Sequence, residues 1–147
     1  MKIVYQGSPG AYSHLAAKKI YPEYEFIPYN TFEDCFKHCN ENEEHKTIIP
    51  VENSIAGRVA DIQYLINKYK LQIYAEHFQE IKHNLMILKD NELKNVKSVR
   101  SHSQAISQCQ KLINSYKFET IIAADTAGSA KYISEKKIKS EAAIASE

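Results

Sequence analysis

Apolar positions along the chain recur with two periods, one close to 2 and one close to 3.6. Residues 2–6 form a β-branched run that predicts a strand, and the cluster Gly7-Ser8-Pro9-Gly10 breaks it. Leu15, Ala16, Ala17 and Ile20 then outline one helix face, with Ser13 placed at the N-cap or first helical position. Residues 24–28 predict a second strand. Thr31 predicts the cap of a second helix, with Glu33 and Asp34 suited to its dipole and Phe32, Cys35, Phe36 and Cys39 on its apolar face. Ile48, Ile49 and Val51 predict a short buried strand that turns polar at Glu52, Asn53 and Ser54 and reaches Gly57. Val59, Ile62, Leu65, Ile66 and Tyr69 follow at helical spacing, so a carboxylate, an amide and a hydroxyl are expected where a strand ends and a helix begins.

Residues 71–78 and 81–89 predict two strands with only a short polar break between them, unlike the strand–helix alternation before. This marks a crossing from a first lobe, residues 1–77, to a second, residues 78–147. The second lobe repeats the pattern. Residues 96–101 predict a strand, and Ser101-His102-Ser103 begins a helix with Ala105, Ile106, Cys109, Leu112, Ile113 and Tyr116 on one face. Residues 118–124 predict the next strand, Asp125-Thr126-Ala127 caps a helix carrying Ala130 and Ile133, and residues 142–145 predict a last strand. A last strand with nothing after it is expected to lie as an exposed edge, which suggests a sequence cut within a domain or completed from outside.

Composition narrows the function classes. The chain has 147 residues, 44% hydrophobic and 25% charged, with a formal net charge of +1, so there is no basic field for nucleic acid or an acidic membrane surface. No apolar run approaches a membrane span, and the N-terminus enters a strand pattern without a signal-peptide core. Three cysteines form no disulfide framework, and a cytoplasmic setting is expected. Cys35 and Cys39 flank His38, but with Phe32 and Phe36 beside them and no second ligand pair they are expected to be buried thiols; no metal is expected.

Four strand-to-helix junctions carry the candidate chemistry: residues 7–13, 52–57, 101–103 and 125–127. All four glycines, Gly7, Gly10, Gly57 and Gly128, sit at or beside them. Helix N-termini with Ser, Thr and Asn groups suit a small ligand with carboxylates. Ser, Thr and Asp at such places also serve as ordinary N-caps. His102 suits either a general acid or a structural role. Arg58 is either a carboxylate ligand or a solvated helix-start residue, and Arg100 is expected to point away from Ser101 within a strand.

With these residues laid out, the chain resembles the prephenate dehydratase catalytic domain. The resemblance rests on residues 7–13 (Gly-Ser-Pro-Gly-Ala-Tyr-Ser), 50–57 (Pro-Val-Glu-Asn-Ser-Ile-Ala-Gly), 101–109 (Ser-His-Ser-Gln-Ala-Ile-Ser-Gln-Cys), 125–127 and 142–146, in family order. It implies a two-lobed α/β fold like the type II periplasmic binding proteins, with an active-site cleft between the lobes. It implies conversion of prephenate to phenylpyruvate in phenylalanine biosynthesis, without metal or organic cofactor, by a homo-oligomer. Carried over residue by residue, Asn53, Ser101, Gln108 and Thr126 are expected to be catalytic. Gly10, Ala11, Tyr12, Ser13, Glu52, Ser54, Gly57 and His102 are expected to bind substrate. Ser101 and Gln108 are expected to share a helix face at i, i+7. The family's Thr-Arg-Phe motif and its phenylalanine-binding ACT domain have no counterpart in these residues. The chain is therefore expected to be an N-terminal portion with little or no activity. Arogenate dehydratase and a non-catalytic dicarboxylate-binding module on the same fold are the alternatives.

Overall fold

The computed structural model describes residues 1–147. By its internal contacts the chain divides into two compact units, Met1–Glu80 and Ile81–Glu147.

The first unit opens with β1 (Lys2–Gln6), α1 (Tyr12–Ile20), β2 (Glu25–Tyr29), α2 (Phe32–Glu41) and β3 (Lys46–Ile48). The three strands are parallel in the order β2-β1-β3, with β1 central and its Ile3, Val4 and Tyr5 buried. Parallel strands joined by helices have both faces covered, which is why β1 is a continuous apolar run. Thr31 caps α2 as its sequence predicts, its Oγ1 accepting from Asp34 N at 3.1 Å. The predicted face of α2 is buried: Cys35 and Cys39 pack with Val4, Ile27, Tyr29, Ile49 and Leu71, and Phe36 packs with Ile62 and Leu65 of the next helix. Each such side chain contributes about 1.5–3 kcal/mol by leaving water.

The stretch after β3 departs from its expected form. The strand ends at Ile48; Ile49 is used in the core, and Pro50 lacks the N–H a ladder needs. Glu52–Asn53 (β4) and Gly57–Arg58 (β5) pair as a two-stranded antiparallel hairpin, so residues 52–57 are not a strand-to-helix junction. The helix α3 (Ile62–Tyr69) begins only after Asp61, which adopts a left-handed conformation and makes no side-chain cap. Val59 lies outside that helix yet packs against its core. Residues 71–78 form no strand. Their alternation is real, but a strand needs a hydrogen-bonded neighbour, and Ile73, Tyr74 and Phe78 are largely exposed.

The second unit holds β6 (Asn84–Met86), a 3₁₀ turn (Leu93–Asn95), β7 (Ser98–Ser101), α4 (Ser103–Gln108), α5 (Gln110–Tyr116), β8 (Glu119–Ile122), α6 (Thr126–Lys136) and β9 (Glu141–Ala145). Its sheet runs β6-β9-β7-β8, with β7, β8 and β9 parallel and β6 antiparallel to β9. The last strand is thus interior, not an exposed edge. Residues 142–145 are all buried, the unbroken apolar run expected of a strand covered on both faces. The single helix predicted after Ser103 is broken at Cys109, whose backbone (φ −101°, ψ 12°) leaves helical geometry. The break rotates the face: Ala105, Ile106 and Ile113 are core, while Leu112 and Tyr116 are exposed. With few glycines available, α3, α5 and α6 are terminated by Lys70, Lys117 and Lys137 in left-handed conformations.

Candidate active site

The candidate groups of the first unit lie in the loop after β1, at the start of α1 and in the β4–β5 hairpin; those of the second lie at the end of β7, at the two ends of α4 and at the start of α6. In the first unit the chain leaves β1 through Gly7 (φ 107°), whose N–H donates to Tyr29 O at 2.9 Å, and Gly10 (φ 96°). Both positive φ values suit glycine. The N-cap of α1 is Ala11, not Ser13, and it offers no side-chain cap, unlike Thr31 on α2. Ser13 is the second helical residue, on a first turn whose N–H groups face away from any intrahelical carbonyl. The loop is braced internally. Ala11 N–H donates to Ser8 O at 2.9 Å, and Gly10 N–H donates to His14 Nδ1 at 3.0 Å. These two amides, expected as substrate donors, are therefore engaged within the chain. His14 stacks on Tyr5 (5.0 Å between centroids) and meets the edge of Phe26. Burial first, then the nearby Lys18 charge, lowers its pKa, which keeps Nδ1 an acceptor.

The hairpin presents Asn53 at its turn. Asn53 Oδ1 accepts from Ile55 N and Ala56 N, both at 2.9 Å, a side-chain turn that fixes the carbonyl and does not use the NH2 group. Glu52, Ser54 and Gly57 are exposed on the same hairpin, and Gly57 (φ 80°) closes it. Arg58 lies in β5 and not at a helix start, exposed and across the ladder from Glu52.

In the second unit Ser101 ends β7. Its side chain is fully buried, and Oγ donates to Ile144 O on β9 at 2.6 Å. Ser101 stands in a strand, so the expected shared helix face with Gln108 does not exist. His102 is the N-cap of α4, its Nδ1 accepting from Gln104 N at 3.3 Å. Gln108 closes α4, its Oε1 2.9 Å from His83 Nε2. Asp125 caps α6 by accepting from Gly128 N at 2.5 Å, and the Ser129 hydroxyl donates to Asp125 O. Thr126 is the first residue of that helix, half-buried. Arg100, on the opposite sheet face from Ser101, gives two hydrogen bonds to Glu141 (2.8 and 3.4 Å) and lies 4.5 Å from the Tyr132 ring centroid. Both bonds raise its pKa, and its charge is already satisfied.

Cys35 and Cys39 are buried thiols whose pKa values burial raises to about 12 and about 11. His38 binds Tyr29 OH at 2.9 Å and His45 Nδ1 at 2.7 Å. His14 and His83, which brace Gly10 and Gln108, were not anticipated. A histidine four residues after a glycine in a loop–helix turn was the only local signal for the first; the second had none.

The first unit carries the Asn53 amide and the first turn of α1, and the second carries the Gln108 amide and the Thr126 hydroxyl, all hydrogen-bond donors. A sequence profile described as prephenate dehydratase matches residues 3–147. The chain belongs to the prephenate dehydratase family. It is similar to the bifunctional N-acyl-homoserine lactone acylase/prephenate dehydratase of Komagataeibacter europaeus, with 33% identity over 98% of this chain and 51% of that protein. It is likewise similar to arogenate dehydratase 2 of Petunia hybrida, with 33% identity over 99% of this chain and 37% of that protein. The crystal structure of the prephenate dehydratase from Staphylococcus aureus subsp. aureus Mu50 shares the fold, with a TM-score of 0.81, 24% identity, and coverage of 100% of this chain and 55% of that one. The chain thus spans about half or less of the length of these relatives.

Proposed function

We propose that this chain is the prephenate-binding portion of a prephenate dehydratase, a lyase of phenylalanine biosynthesis. The carrying observation is that, in a chain of this family, each unit presents neutral hydrogen-bonding side chains: Asn53 at the hairpin turn of the first, and Gln108 at the end of α4 and Thr126 at the start of α6 in the second. Prephenate carries two carboxylates and a ring hydroxyl, all acceptors. In the reaction the bond from the ring to its carboxylate breaks and carbon dioxide leaves. That electron pair completes the aromatic ring and expels the hydroxyl, which takes a proton and departs as water. Aromatisation drives the step, so the protein needs to orient the carboxylates and donate to the leaving oxygen.

In this reading the Asn53 and Gln108 amides donate to substrate oxygens, and Thr126 donates at the mouth of α6. Tyr12 and Ser13 offer the first turn of α1 to a carboxylate, with Gly10 and Ala11 shaping the turn. Ser101 is a positioning residue, because its hydroxyl is spent on Ile144 O and ties β7 to β9. Glu52, Ser54, Gly57 and His102 set the hairpin and the α4 cap around those donors. The 147 residues alone are expected to bind prephenate and to turn it over weakly or not at all. Buried free thiols suit a cytoplasmic protein, and a homo-oligomer is expected from the family.

Calorimetry with prephenate, with phenylpyruvate formation followed by ultraviolet absorbance, tests this. Saturable binding that Asn53→Asp weakens is expected, because the substituted carboxylate keeps the turn acceptor but lacks the donor. No prephenate binding would overturn the reading, and robust turnover would overturn the expectation of weak activity. Arogenate is run in parallel, since relatives include arogenate dehydratases. Tighter binding of arogenate would move the assignment to that substrate.

A further inference from the structure

His83 and Gln108 meet within the second unit. His83 immediately precedes β6, and Gln108 is the last residue of α4. Their side chains are partly buried, with His83 Nε2 and Gln108 Oε1 2.9 Å apart. A carboxamide oxygen only accepts, so the imidazole must carry its proton on Nε2. With Oε1 held, the NH2 group lies on the other side of the carboxamide carbon. An unrestrained glutamine turns freely about its last torsion and offers an oxygen to a ligand as readily as a nitrogen. Against a carboxylate those two faces differ in sign, one a charge-assisted hydrogen bond and the other a repulsion between oxygens.

We propose that His83 is a positioning residue that locks the Gln108 carboxamide with its NH2 face toward the ligand, so that this position selects an oxygen acceptor such as a carboxylate or hydroxyl. The proposal rests on Gln108 contacting substrate, as argued above, and adds the residue that sets its polarity.

The test uses the 147-residue chain, isotopically labelled, with His83→Leu, His83→Asn and His83→Gln. Glutamine places an amide N–H near the Nε2 position and keeps the donor; asparagine is polar but too short, and leucine removes the donor. In calorimetry His83→Leu and His83→Asn are expected to weaken prephenate binding by about 5- to 10-fold, the loss of one aligned hydrogen bond. His83→Gln is expected to restore affinity to within about twofold. The His83→Leu/Gln108→Leu double variant is expected to bind no more weakly than Gln108→Leu alone. The Gln108 side-chain amide resonances are expected to shift in His83→Leu and return in His83→Gln. A histidine that merely packs would lower thermal stability while leaving those resonances and the affinity unchanged, and that result overturns the proposal. If the unaltered chain binds no prephenate, the functional reading falls. The lock is then decided by the amide resonances alone, and their indifference to His83→Leu overturns it.

Discussion

Substituting Gly128 by alanine tests the cap that places Thr126. Gly128 is the third residue of α6, and its N–H donates to Asp125 Oδ1 at 2.5 Å. A Cβ at this position would stand 2.7 Å from Asp125 Oδ2 and 3.1 Å from Cγ and Oδ1. The backbone is helical, so the ordinary expectation for Gly→Ala is a gain of about 0.8–1 kcal/mol. Here the methyl group evicts the carboxylate, and the lost cap costs about 1 kcal/mol, within a range of about 0.5–2. Set against that gain, the loss leaves a net change in the unaltered chain between about 0.5 kcal/mol of stabilisation and about 1.2 kcal/mol of destabilisation, centred near zero. In an Asp125→Ala background there is no carboxylate to evict, and the same substitution should stabilise by up to about 1 kcal/mol. The two backgrounds therefore differ by the lost cap, a coupling of about 0.5–2 kcal/mol between adjacent groups. Urea unfolding of the four proteins by far-ultraviolet circular dichroism measures each term. Equal stabilisation by Gly128→Ala in both backgrounds, a coupling below about 0.3 kcal/mol, would refute the cap geometry.

Other outcomes follow from the same contacts. Burial is the first cause lowering the pKa of both His14 and His38; the Lys18 charge adds for His14, and His45 and Lys2 add for His38 against Glu41. The unfolded chain binds these protons more readily, so their contribution to stability is full above about pH 6.5 and is lost as pH falls from there through the lowered folded-state values. The urea midpoint should be lower at pH 5.5 than at pH 7.5, with the difference reduced by His38→Gln; no change in that difference refutes the assignment. Cys35 and Cys39 should resist a thiol reagent at pH 8 in the native chain and react once denatured, because burial holds both as thiols. Rapid native labelling of either contradicts their burial. Arg100→Ala should destabilise by about 2 kcal/mol through the stranded Glu141, and should leave prephenate affinity unchanged. A loss of affinity at equal folding would return Arg100 to the site. Lys117→Gly should stabilise by about 0.5–1 kcal/mol, since Lys117 ends α5 at φ 56°, a conformation glycine adopts without steric cost.

The elements that local rules describe were legible in the chain. The caps at Thr31 and Asp125 each bond an amide three residues on, and β1, α2 and the buried run of residues 142–145 carry their burial in their own spacing. That run was expected at an exposed edge, and its pairing with β6 and β7 places it inside the sheet. What local pattern could not supply was the identity of distant partners. The alternation in residues 71–78 was insufficient without a neighbouring strand, and the apolar run at Ile48–Val51 was shared between a strand end and a core contact. The polar stretch from Glu52 closes on itself as a hairpin, so Asn53 works through its own turn before any ligand.

The sequence by itself determined the alternation of parallel strands and helices, the helix starts that carry their own capping side chain, and the motif residues that name the family. Only the tertiary structure decided which distant groups those residues meet. The Ser101 hydroxyl donates to a carbonyl 43 residues away, and the Gln108 carboxamide meets a histidine 25 residues away. The physical reason is one of range. Periodicity and capping act within a turn or two of chain, whereas a hydrogen bond across a sheet or between a loop and a helix depends on where folding brings the two groups.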